Sequence, residues 1–353
     1  MNVLLVPLDW GLGHATRCIP LISSMLDKGW TVCLAGEGKT LALLKEEFPS
    51  LECIPLQGYR VNYPRSGNWF TPWMLFQSPK IFSSILREHR WLKRLLKTRR
   101  FDLVISDNRY GLHHESVPCI ILTHQLHIVT GWGPLADRVI RAFSTAYIRK
   151  FTQCWIPDAK ENGGIAGRLS HPEILPRNAR YIGPLSRLQP IEGNTSNEIL
   201  ITLSGPEPQR TILEEKLIAQ ATQLPHRFLI VRGLPHKDIV PPPLQNIRFI
   251  NHLDARDLSR EMSAARGVIC RSGYSSVMDL IRMGKPAILI PTPGQTEQEH
   301  IARHVAEKGW FLTVEQSRLN LSAALDALQL AKCSPPAMDF NPFKQVLGEL
   351  STQ

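Results

Sequence analysis

The stretch Val268–Val305 reads VICRSGYSSVMDLIRMGKPAILIPTPGQTEQEHIARHV, and its pattern decides the fold class. Gly267–Cys270 is a short apolar run, which predicts a buried strand. The apolar residues between Ser275 and Met283 recur at helical spacing, and a second apolar run follows at Ala287–Pro291. Strand, helix and strand in this order predict a βαβ unit of a parallel sheet.

Two polar loops interrupt this stretch at the points where the predicted strands end. Arg271–Gly273 follows the first strand, and Gly294–His300 follows the second. In open α/β sheets, ligands bind in the crevice at the carboxyl ends of the strands. Gly273 allows close backbone approach, and Ser275 or Ser276 can cap the helix, whose free N–H groups then favour a phosphate. The alternative is an ordinary βαβ unit with polar loops.

The length and composition predict a globular protein of two domains. The chain has 353 residues, more than usually fold around a single hydrophobic core. Its 43% hydrophobic and 20% charged residues are typical of a globular protein. No apolar run approaches the roughly 20 residues that span a bilayer. Met1–Pro7 lacks a basic region and is followed by the polar Asp9, so we predict a first strand, no signal peptide and a cytoplasmic location. The seven scattered cysteines form neither a disulfide framework nor a metal pattern.

Excess positive charge predicts an anionic partner. The formal net charge is +10 and the pI is near 9.4, which fits nucleic acid, phosphorylated small molecules or an acidic membrane. The densest basic cluster, Arg87–Arg100, lies on a predicted helix and has no aromatic platform beyond Trp91. Nucleic-acid binding requires aromatic and base-reading groups along one basic face. We therefore expect no nucleic-acid partner.

The alternation of strands and helices runs through both halves of the chain. Asn2–Pro7 is a predicted strand that leads through a glycine loop into a helix, and Glu198–Thr202 restarts the same pattern. Arg187–Asn197 is polar, contains Gly and Pro and has no periodicity, which is typical of a linker. The prediction is an α/β protein of two Rossmann-like domains, residues 1–187 and 188–335, followed by a C-terminal helix in 336–353.

Three polar side chains of the first half are candidate catalytic residues. His14 follows two glycines at the end of the first strand, Asp107 ends a strand and His124 follows another. A histidine can act as a general base near neutral pH without special tuning. The alternative is a structural role for each of them. Thr16 and Arg17 are interpreted as residues that only cap and close the first helix.

Two Rossmann-like domains, a Gly-Leu-Gly-His loop at Gly11–His14 and the polar loops of Val268–Val305 resemble the GT-B glycosyltransferases. The chain is most similar to glycosyltransferase family 28, the MurG-like enzymes. The resemblance implies two domains that face each other across a cleft, with an acceptor-binding first domain, a nucleotide-sugar-binding second domain and a C-terminal helix that returns toward the first. It also implies a glycosyltransferase that uses a UDP-sugar, with inversion.

The resemblance implies the donor site residue by residue. Arg271, Ser272, Gly273 and Ser275 match the phosphate turn, and Asp279 matches an acid that binds the ribose. Asn251, His252 and Leu253 match the segment that contacts the base. Arg187 matches a donor-site arginine at the end of a linker segment, and Glu297 and Gln298 match the pair that binds the sugar. Ser204 and Gly205 match a phosphate loop of the family, from which the chain departs because Pro206 and Pro208 remove backbone donors.

The expected mechanism needs no metal and no cofactor besides the nucleotide-sugar substrate. No Asp-x-Asp pair stands at a strand end, so helix N-termini and Arg271 are expected to stabilise the leaving diphosphate. Two alternatives remain open. A nucleotide-sugar hydrolase of the same architecture fits the loop His14–Cys18, and a non-catalytic nucleotide-sugar-binding protein fits the same fold.

A membrane-bound acceptor is suggested by the segment Gly58–Arg100. Its first part is an aromatic loop with Trp69, Phe70, Trp73 and Phe76, and its second part is a helix with a basic face at Arg87, Arg90, Arg94 and Lys97. The apolar face of this helix is predicted to be Phe82, Ile85, Leu86, Leu92 and Leu96. Aromatic and cationic side chains together suit an anionic membrane surface, which would place the protein at the inner face of the cell membrane with a lipid-linked acceptor. The alternative is a helix that packs on the sheet and shows a basic face to solvent.

Overall fold

The computed structural model describes residues 1–60, 77–128, 131–193, 195–235, 237–331 and 333–350. These residues form two compact units. The first unit contains the described residues up to Ser186 and those from Asp339 onward, and the second contains those from Arg187 to Met338. The aromatic residues Trp69, Phe70, Trp73 and Phe76 lie outside the described residues.

The first unit is built on a parallel sheet of seven strands. In chain order its strands are β1 Asn2–Val6, β2 Thr31–Gly36, β3 Glu52–Pro55, β4 Leu103–Asp107, β5 Cys119–Leu122, β6 Gln153–Ile156 and β7 Ala179–Tyr181. Its helices are α1 Leu12–Asp27, α2 Gly38–Glu47, α3 Ser78–Thr98 and α4 Pro134–Ile148. The order across the sheet is β3-β2-β1-β4-β5-β6-β7. This doubly wound order brings the carboxyl ends of β1, β4 and β5 next to one another.

Both faces of this sheet are buried under apolar side chains, as a parallel sheet requires. The last helix of the chain, Pro342–Leu350, contributes Phe343, Val346 and Leu347 to the core that also contains buried residues of α1. The ion pair between Arg180 and Glu349 adds a polar contact to the same helix. The predicted return of the C-terminal helix to the first domain is therefore confirmed.

The second unit is a parallel sheet of six strands with its own helices. Its strands are β8 Glu198–Thr202, β9 Arg227–Val231, β10 Ile247–Ile250, β11 Gly267–Cys270, β12 Ala287–Leu289 and β13 Leu312–Thr313. Its helices are α5 Gln209–Ala221, α6 Ala255–Ala264, α7 Tyr274–Met283, α8 Thr296–Glu307 and α9 Leu321–Leu330, and the helix Pro342–Leu350 is accordingly α10. The order β10-β9-β8-β11-β12-β13 places β11 between β8 and β12.

The stretch Val268–Val305 contains the predicted strand, helix and strand, and a further helix, α8, begins at Thr296 within the predicted polar loop Gly294–His300. Helix α7 ends at Gly284, which has a left-handed φ of 62° that a glycine adopts without strain. The predicted cap by Ser275 or Ser276 is wrong, because the N-cap residue is Gly273 and no side chain caps the helix. The two serines instead lie in the first turn.

The predicted apolar face of α3 is only partly right. Ile85 and Leu92 are buried, whereas Phe82 and Leu86 are each 45% exposed. The helix packs through a narrower stripe that includes the polar Ser84 and Glu88, so the outer apolar residues stay at the surface. Among the described helices, none is long and apolar enough to cross a membrane.

Candidate functional site

The three catalytic candidates come together at the carboxyl edge of the first sheet. His14 lies in the first turn of α1, just after β1, Asp107 is the last residue of β4, and His124 follows β5 by two residues. Because β1, β4 and β5 are neighbours in the sheet, their carboxyl ends present these side chains side by side.

His14 and Asp107 form the central pair of this site. His14 Nδ1 lies 2.9 Å from Asp107 Oδ2, and the side chains are 17% and 0% exposed. With its proton on Nδ1, the imidazole donates to the carboxylate, and Nε2 then carries the lone pair that accepts a proton from a substrate. A buried aspartate that orients a partly exposed histidine is a suitable arrangement for a general base.

Arg17 joins all three candidates, which the sequence interpretation missed. Its Nε donates to Asp107 Oδ1 at 3.0 Å, and its Nη2 is paired with the same oxygen. The guanidinium also lies 3.2 Å from His124 Nδ1, and its Nη2 lies 2.9 Å from His14 Nδ1, a contact that is not a hydrogen bond when the proton of His14 is on Nδ1. Arg17 is therefore a buried member of the site and not a residue that only closes the helix. The available signal was its position one helical turn after His14, on the same face.

The charges around Asp107 keep it ionised. Burial by itself raises the pKa of this carboxyl, but the positive charge of Arg17 and the interactions with His14 outweigh burial and hold the pKa below its usual range. The Arg17–Asp107 pair is neutral as a whole, so it orients His14 without adding a net charge beside it.

The backbone after Asp107 fixes the positions of these side chains. Asn108 has a left-handed φ of 56°, and its N–H donates to the carbonyl of Leu122 at 3.0 Å. Its side-chain Oδ1 accepts a hydrogen bond from Thr123 Oγ1 at 3.0 Å. Residues in this conformation are uncommon and often lie at functional sites. The turn locks the end of β4 to the end of β5, and with it Asp107 to His124.

A buried ion pair supports the segment between β1 and α1, which leads to His14. Arg109 Nε lies 2.7 Å from Glu88 Oε1, and both side chains are almost fully buried. Arg109 also donates to the carbonyl of Pro7, immediately after β1, at 3.3 Å. This pair ties α3 and the segment after β4 to the segment that leads into α1.

The donor candidates all belong to the second unit: Arg187 is the first residue after the first unit, and the others lie in the loops or helices that follow β8, β10, β11 and β12. Those with partly or fully exposed side chains or backbone are Arg187, Ser204, Gly205, His252, Leu253, Gly273, Ser275, Asp279 and Glu297. Those that are buried are Asn251, Arg271, Ser272 and Gln298. Ser275 and Asp279 lie one turn apart on α7, so they share a face of the helix that begins at Gly273.

Arg271, which is expected at the diphosphate, is held by backbone carbonyls in the structure. The side chain is fully buried, and its guanidinium donates to the carbonyls of Ile290 and Pro291 at 3.2 Å and of Gln209 at 2.8 Å. Burial lowers the pKa of this guanidinium to about 10. Arg271 therefore ties the loop after β12 to the start of α5 and remains charged at neutral pH, beneath the surface that a ligand would touch.

Ser272 and Gln298 are likewise used to hold the two loops of Val268–Val305 together. Ser272 Oγ donates to the carbonyl of Gln298 at 2.9 Å, and Gln298 Oε1 accepts from the N–H of Thr292 at 2.9 Å. The N–H of Gly294 is bound by Glu299 Oε1 at 2.8 Å. The expected contacts of Ser272 with the phosphate and of Gln298 with the sugar stay predictions, and the structure adds that these side chains link the two segments.

Asn251, whose segment is expected to contact the base, uses its side chain to hold a neighbouring segment. Its Nδ2 donates to the carbonyls of Lys237 and Ile239, the latter at 3.1 Å. Its Oδ1 accepts from Arg232 Nη1 at 3.0 Å. These bonds anchor the proline-rich segment that follows β9, so the side chain is occupied by the fold.

Comparisons with known proteins identify relatives of the chain. Residues 228–349 match the family model described as the glycosyltransferase family 28 C-terminal domain. The chain is 22% identical over 331 residues, 90% of this chain and 86% of the relative, to the UDP-N-acetylglucosamine--N-acetylmuramyl-(pentapeptide) pyrophosphoryl-undecaprenol N-acetylglucosamine transferase of Mannheimia succiniciproducens. Among solved structures, it is similar to the spinosyn rhamnosyltransferase SpnG, with a TM-score of 0.67, 18% identity and coverage of 100% and 95% of the two chains. MurG of Acinetobacter baumannii is similar with a TM-score of 0.58, 16% identity and coverage of 100% and 99%.

These similarities confirm the expected resemblance and fold. The two parallel α/β sheets match glycosyltransferase structures of the GT-B fold. The homologues of the chain are glycosyltransferases, including the MurG type of N-acetylglucosamine transferase. The roles of the individual site residues rest on the geometry described above.

Proposed function

We propose that this chain, a homologue of the MurG-like glycosyltransferases, moves a sugar from a nucleotide-sugar donor, a UDP-sugar, to a hydroxyl group of an acceptor. In this proposal the first unit binds the acceptor and the second binds the donor. The reaction inverts the configuration of the sugar carbon and uses protein groups in place of a metal ion to stabilise the leaving diphosphate.

The observation that carries the proposal is the His14–Asp107 pair with its buried Arg17. Direct displacement at the sugar carbon needs a base that removes the proton from the attacking hydroxyl. His14 is partly exposed and is oriented through Nδ1 by a buried, ionised aspartate. Nε2 then acts on the acceptor hydroxyl, and His124 lies within the same network through Arg17.

The second unit supplies the surface that we propose for the donor. Helix α7 begins at Gly273 without a side-chain cap, so the N–H groups of its first turn suit the diphosphate. Asp279 lies one turn beyond Ser275 and is proposed to bind the ribose hydroxyls, while Glu297, in the first turn of α8, is proposed to bind the sugar. Arg187, His252, Leu253, Ser204 and Gly205 complete the proposed contacts.

Replacing Asp279 with alanine is expected to weaken binding of the nucleoside diphosphate by about 1–3 kcal/mol, because two ribose hydroxyls lose a charged acceptor. Isothermal titration calorimetry with UDP measures the change. Asp326→Ala, which removes an exposed aspartate on α9, is the matched control and should bind UDP like the unchanged protein. Unchanged affinity of the Asp279 variant for UDP and for every other nucleotide tested rejects this role.

The surface of the first unit supports a membrane-held, lipid-linked acceptor. Leu135 and Val139 on α4 are 77% and 63% exposed, and Phe143 follows one turn later on the same face. The ring of Phe143 lies 5.3 Å from that of Phe82, so α3 and α4 form one apolar patch, which we define as Phe82, Leu86, Leu135, Val139 and Phe143.

The two helices of this patch also carry exposed basic residues: Arg90, Lys93, Arg94 and Lys97 on α3, Arg138 on α4, and Arg149 and Lys150 directly after α4. An exposed apolar patch together with basic residues on the same helices is suited to the interface of an anionic bilayer. Each basic residue near such a surface contributes about 1 kcal/mol, and the attraction falls off within a Debye length. We infer that the protein docks on the inner face of the cell membrane through this patch.

The protein is expected to cosediment with liposomes of acidic lipid at low salt, and to be released at high salt. The double substitution Leu135→Glu with Val139→Glu should abolish this binding, because it introduces two anionic side chains into the patch. Ile174→Glu changes an exposed isoleucine elsewhere in the first unit and should leave binding unchanged. Failure of the unchanged protein to bind acidic liposomes at low salt excludes membrane docking and favours a soluble acceptor.

Hydrolysis of the nucleotide sugar is the second candidate function. It is favoured by Arg17, because this residue of the loop His14–Cys18 contacts His14 and Asp107 directly, and the same pair can activate water. Incubation with UDP-sugars, with and without lipid or sugar acceptors, distinguishes the two. Release of nucleotide that requires an acceptor supports transfer, whereas equal release in its absence supports hydrolysis.

A further inference from the structure

The side chain of Thr292 in the second unit is buried and has an unused hydroxyl group. It lies three residues beyond the end of β12 and is 4% exposed. Within the part of the chain that the structure describes, its Oγ1 is buried and has no hydrogen-bond partner. Such groups are rare in native proteins and call for an explanation.

The backbone of Thr292 is held firmly, which fixes the hydroxyl in place. Its N–H donates to Gln298 Oε1 at 2.9 Å, and its carbonyl accepts from the N–H of Gln295 at 3.0 Å. The main-chain groups of this residue are therefore satisfied by the fold, and only the side-chain oxygen is left over.

Thr292 Oγ1 points toward the loop that follows β8. A Cβ built on Gly205 would lie 3.8 Å from this oxygen, and Gly205 has a φ of 101°, which favours glycine. The hydroxyl therefore lies between the loop that follows β12 and the loop that follows β8. Both loops follow the carboxyl ends of strands that flank β11 in the sheet, which is the edge where α/β sheets bind ligands.

The local charge favours an anion at this position. The guanidinium of Arg271 bonds to the carbonyls of Ile290 and Pro291, the two residues before Thr292, and to that of Gln209, the first residue of α5. Each of these described partners is an uncharged carbonyl, so none of them neutralises the positive charge of Arg271. A buried cation whose charge is not neutralised makes the electrostatic potential at the polar surface above it more positive.

We propose that Thr292 is a donor-recognition residue whose hydroxyl donates a hydrogen bond to an oxygen of the donor's diphosphate, beside Gly205. The inference rests on the proposed function, because it names a new contact in the proposed donor site. The ligand completes the hydrogen bonding of Thr292, and Arg271 assists through its charge without touching the ligand.

The substitution Thr292→Val tests this contact because valine keeps the shape of threonine and removes the hydroxyl. We expect the affinity for a nucleoside diphosphate, measured by titration calorimetry with UDP, dTDP and GDP, to fall about tenfold for the diphosphate that binds best. Affinity for the corresponding nucleoside should not change. The midpoint of thermal unfolding without ligand should stay the same or rise, since an unpaired buried hydroxyl has been removed.

Two further variants separate recognition from structure. Thr292→Ser keeps the hydroxyl and should bind the diphosphate nearly as well as the unchanged protein. Thr313→Val removes a hydroxyl that donates to the carbonyl of Ala302, so it should lower the unfolding midpoint and leave affinity unchanged. Unchanged diphosphate affinity in Thr292→Val, or a lowered midpoint with no loss of affinity, overturns the inference while the proposed function stands. Failure of the unchanged protein to bind any of the three diphosphates overturns both.

Discussion

Replacing His14 with alanine is expected to lower kcat about 10²–10⁴-fold, the range for loss of a positioned general base. Donor affinity should remain nearly intact, because His14 lies in the first unit and the proposed donor contacts lie in the second. The physical reason is that the attacking hydroxyl loses the group that accepts its proton, whereas the binding of the nucleotide is untouched. Release of free nucleotide from the sugar nucleotide, followed over time, gives kcat.

His114→Ala is the matched control for this experiment. His114 belongs to the same unit, and its Nδ1 pairs with Ser116 in a local turn away from Asp107. It should turn over at the rate of the unchanged protein. Full turnover in His14→Ala moves the catalytic role to Asp107 or His124, which are then the next variants to measure.

The substitution Asp107→Asn is expected to lower the unfolding midpoint of the first unit by about 10 °C at pH 7. It leaves the buried Arg17 without its carboxylate, and breaking a buried ion pair in this way costs about 3–5 kcal/mol. The size of the loss follows from burial, since Arg17 and Asp107 are 2% and 0% exposed. Differential scanning calorimetry of the two proteins measures it.

The cost of Asp107→Asn depends on pH with a definite sign. The folded-state pKa of Asp107 lies below the value near 3.9 of an unfolded chain. The stability that its charge contributes is present above that value and is lost as the pH falls through the lower, folded-state pKa. The difference between the two proteins should therefore be largest near pH 7 and should shrink below about pH 4.

An exposed ion pair serves as the comparison. Asp257→Asn removes a carboxylate that pairs with Arg260 at the surface of α6, and such pairs contribute less than about 1 kcal/mol. If Asp107→Asn costs no more than Asp257→Asn at pH 7, the buried network around Arg17 does not have the energetic role assigned to it.

The candidate residues of the first unit could be predicted because the sequence indicates where its strands end. His14, Asp107 and His124 each follow a clear apolar run, and parallel topology brings such positions to one edge. Arg17 was missed because a cation on an amphipathic helix looks like a surface residue until its partners are known. Its carboxylate partner lies 90 residues away in the chain, and one sequence gives no signal for a contact at that separation.

The polar residues of the second unit show a different limit of sequence-based prediction. Arg271 and Ser272 follow β11 as the sequence predicts, and Gln298 lies in the first turn of α8. A sequence does not tell whether a polar side chain at such a position points outward or back into the protein. Buried backbone carbonyls need hydrogen-bond donors, and a polar side chain that supplies one points into the protein. Arg271 does so for the carbonyls of Ile290 and Pro291. Thr292 was overlooked for the same reason, since its importance lies in the absence of a partner among the described residues.

The packing of α10 in the first unit has a consequence for synthesis on the ribosome. The chain leaves the first unit at Ser186, builds the whole second unit and returns at Asp339. Phe343, Val346 and Leu347 reach the first core only after the second unit has been translated. Although domains generally fold from the N-terminus as they emerge, here the chain of the second unit is complete first. The core of the first unit stays without these three side chains until α10 has been translated.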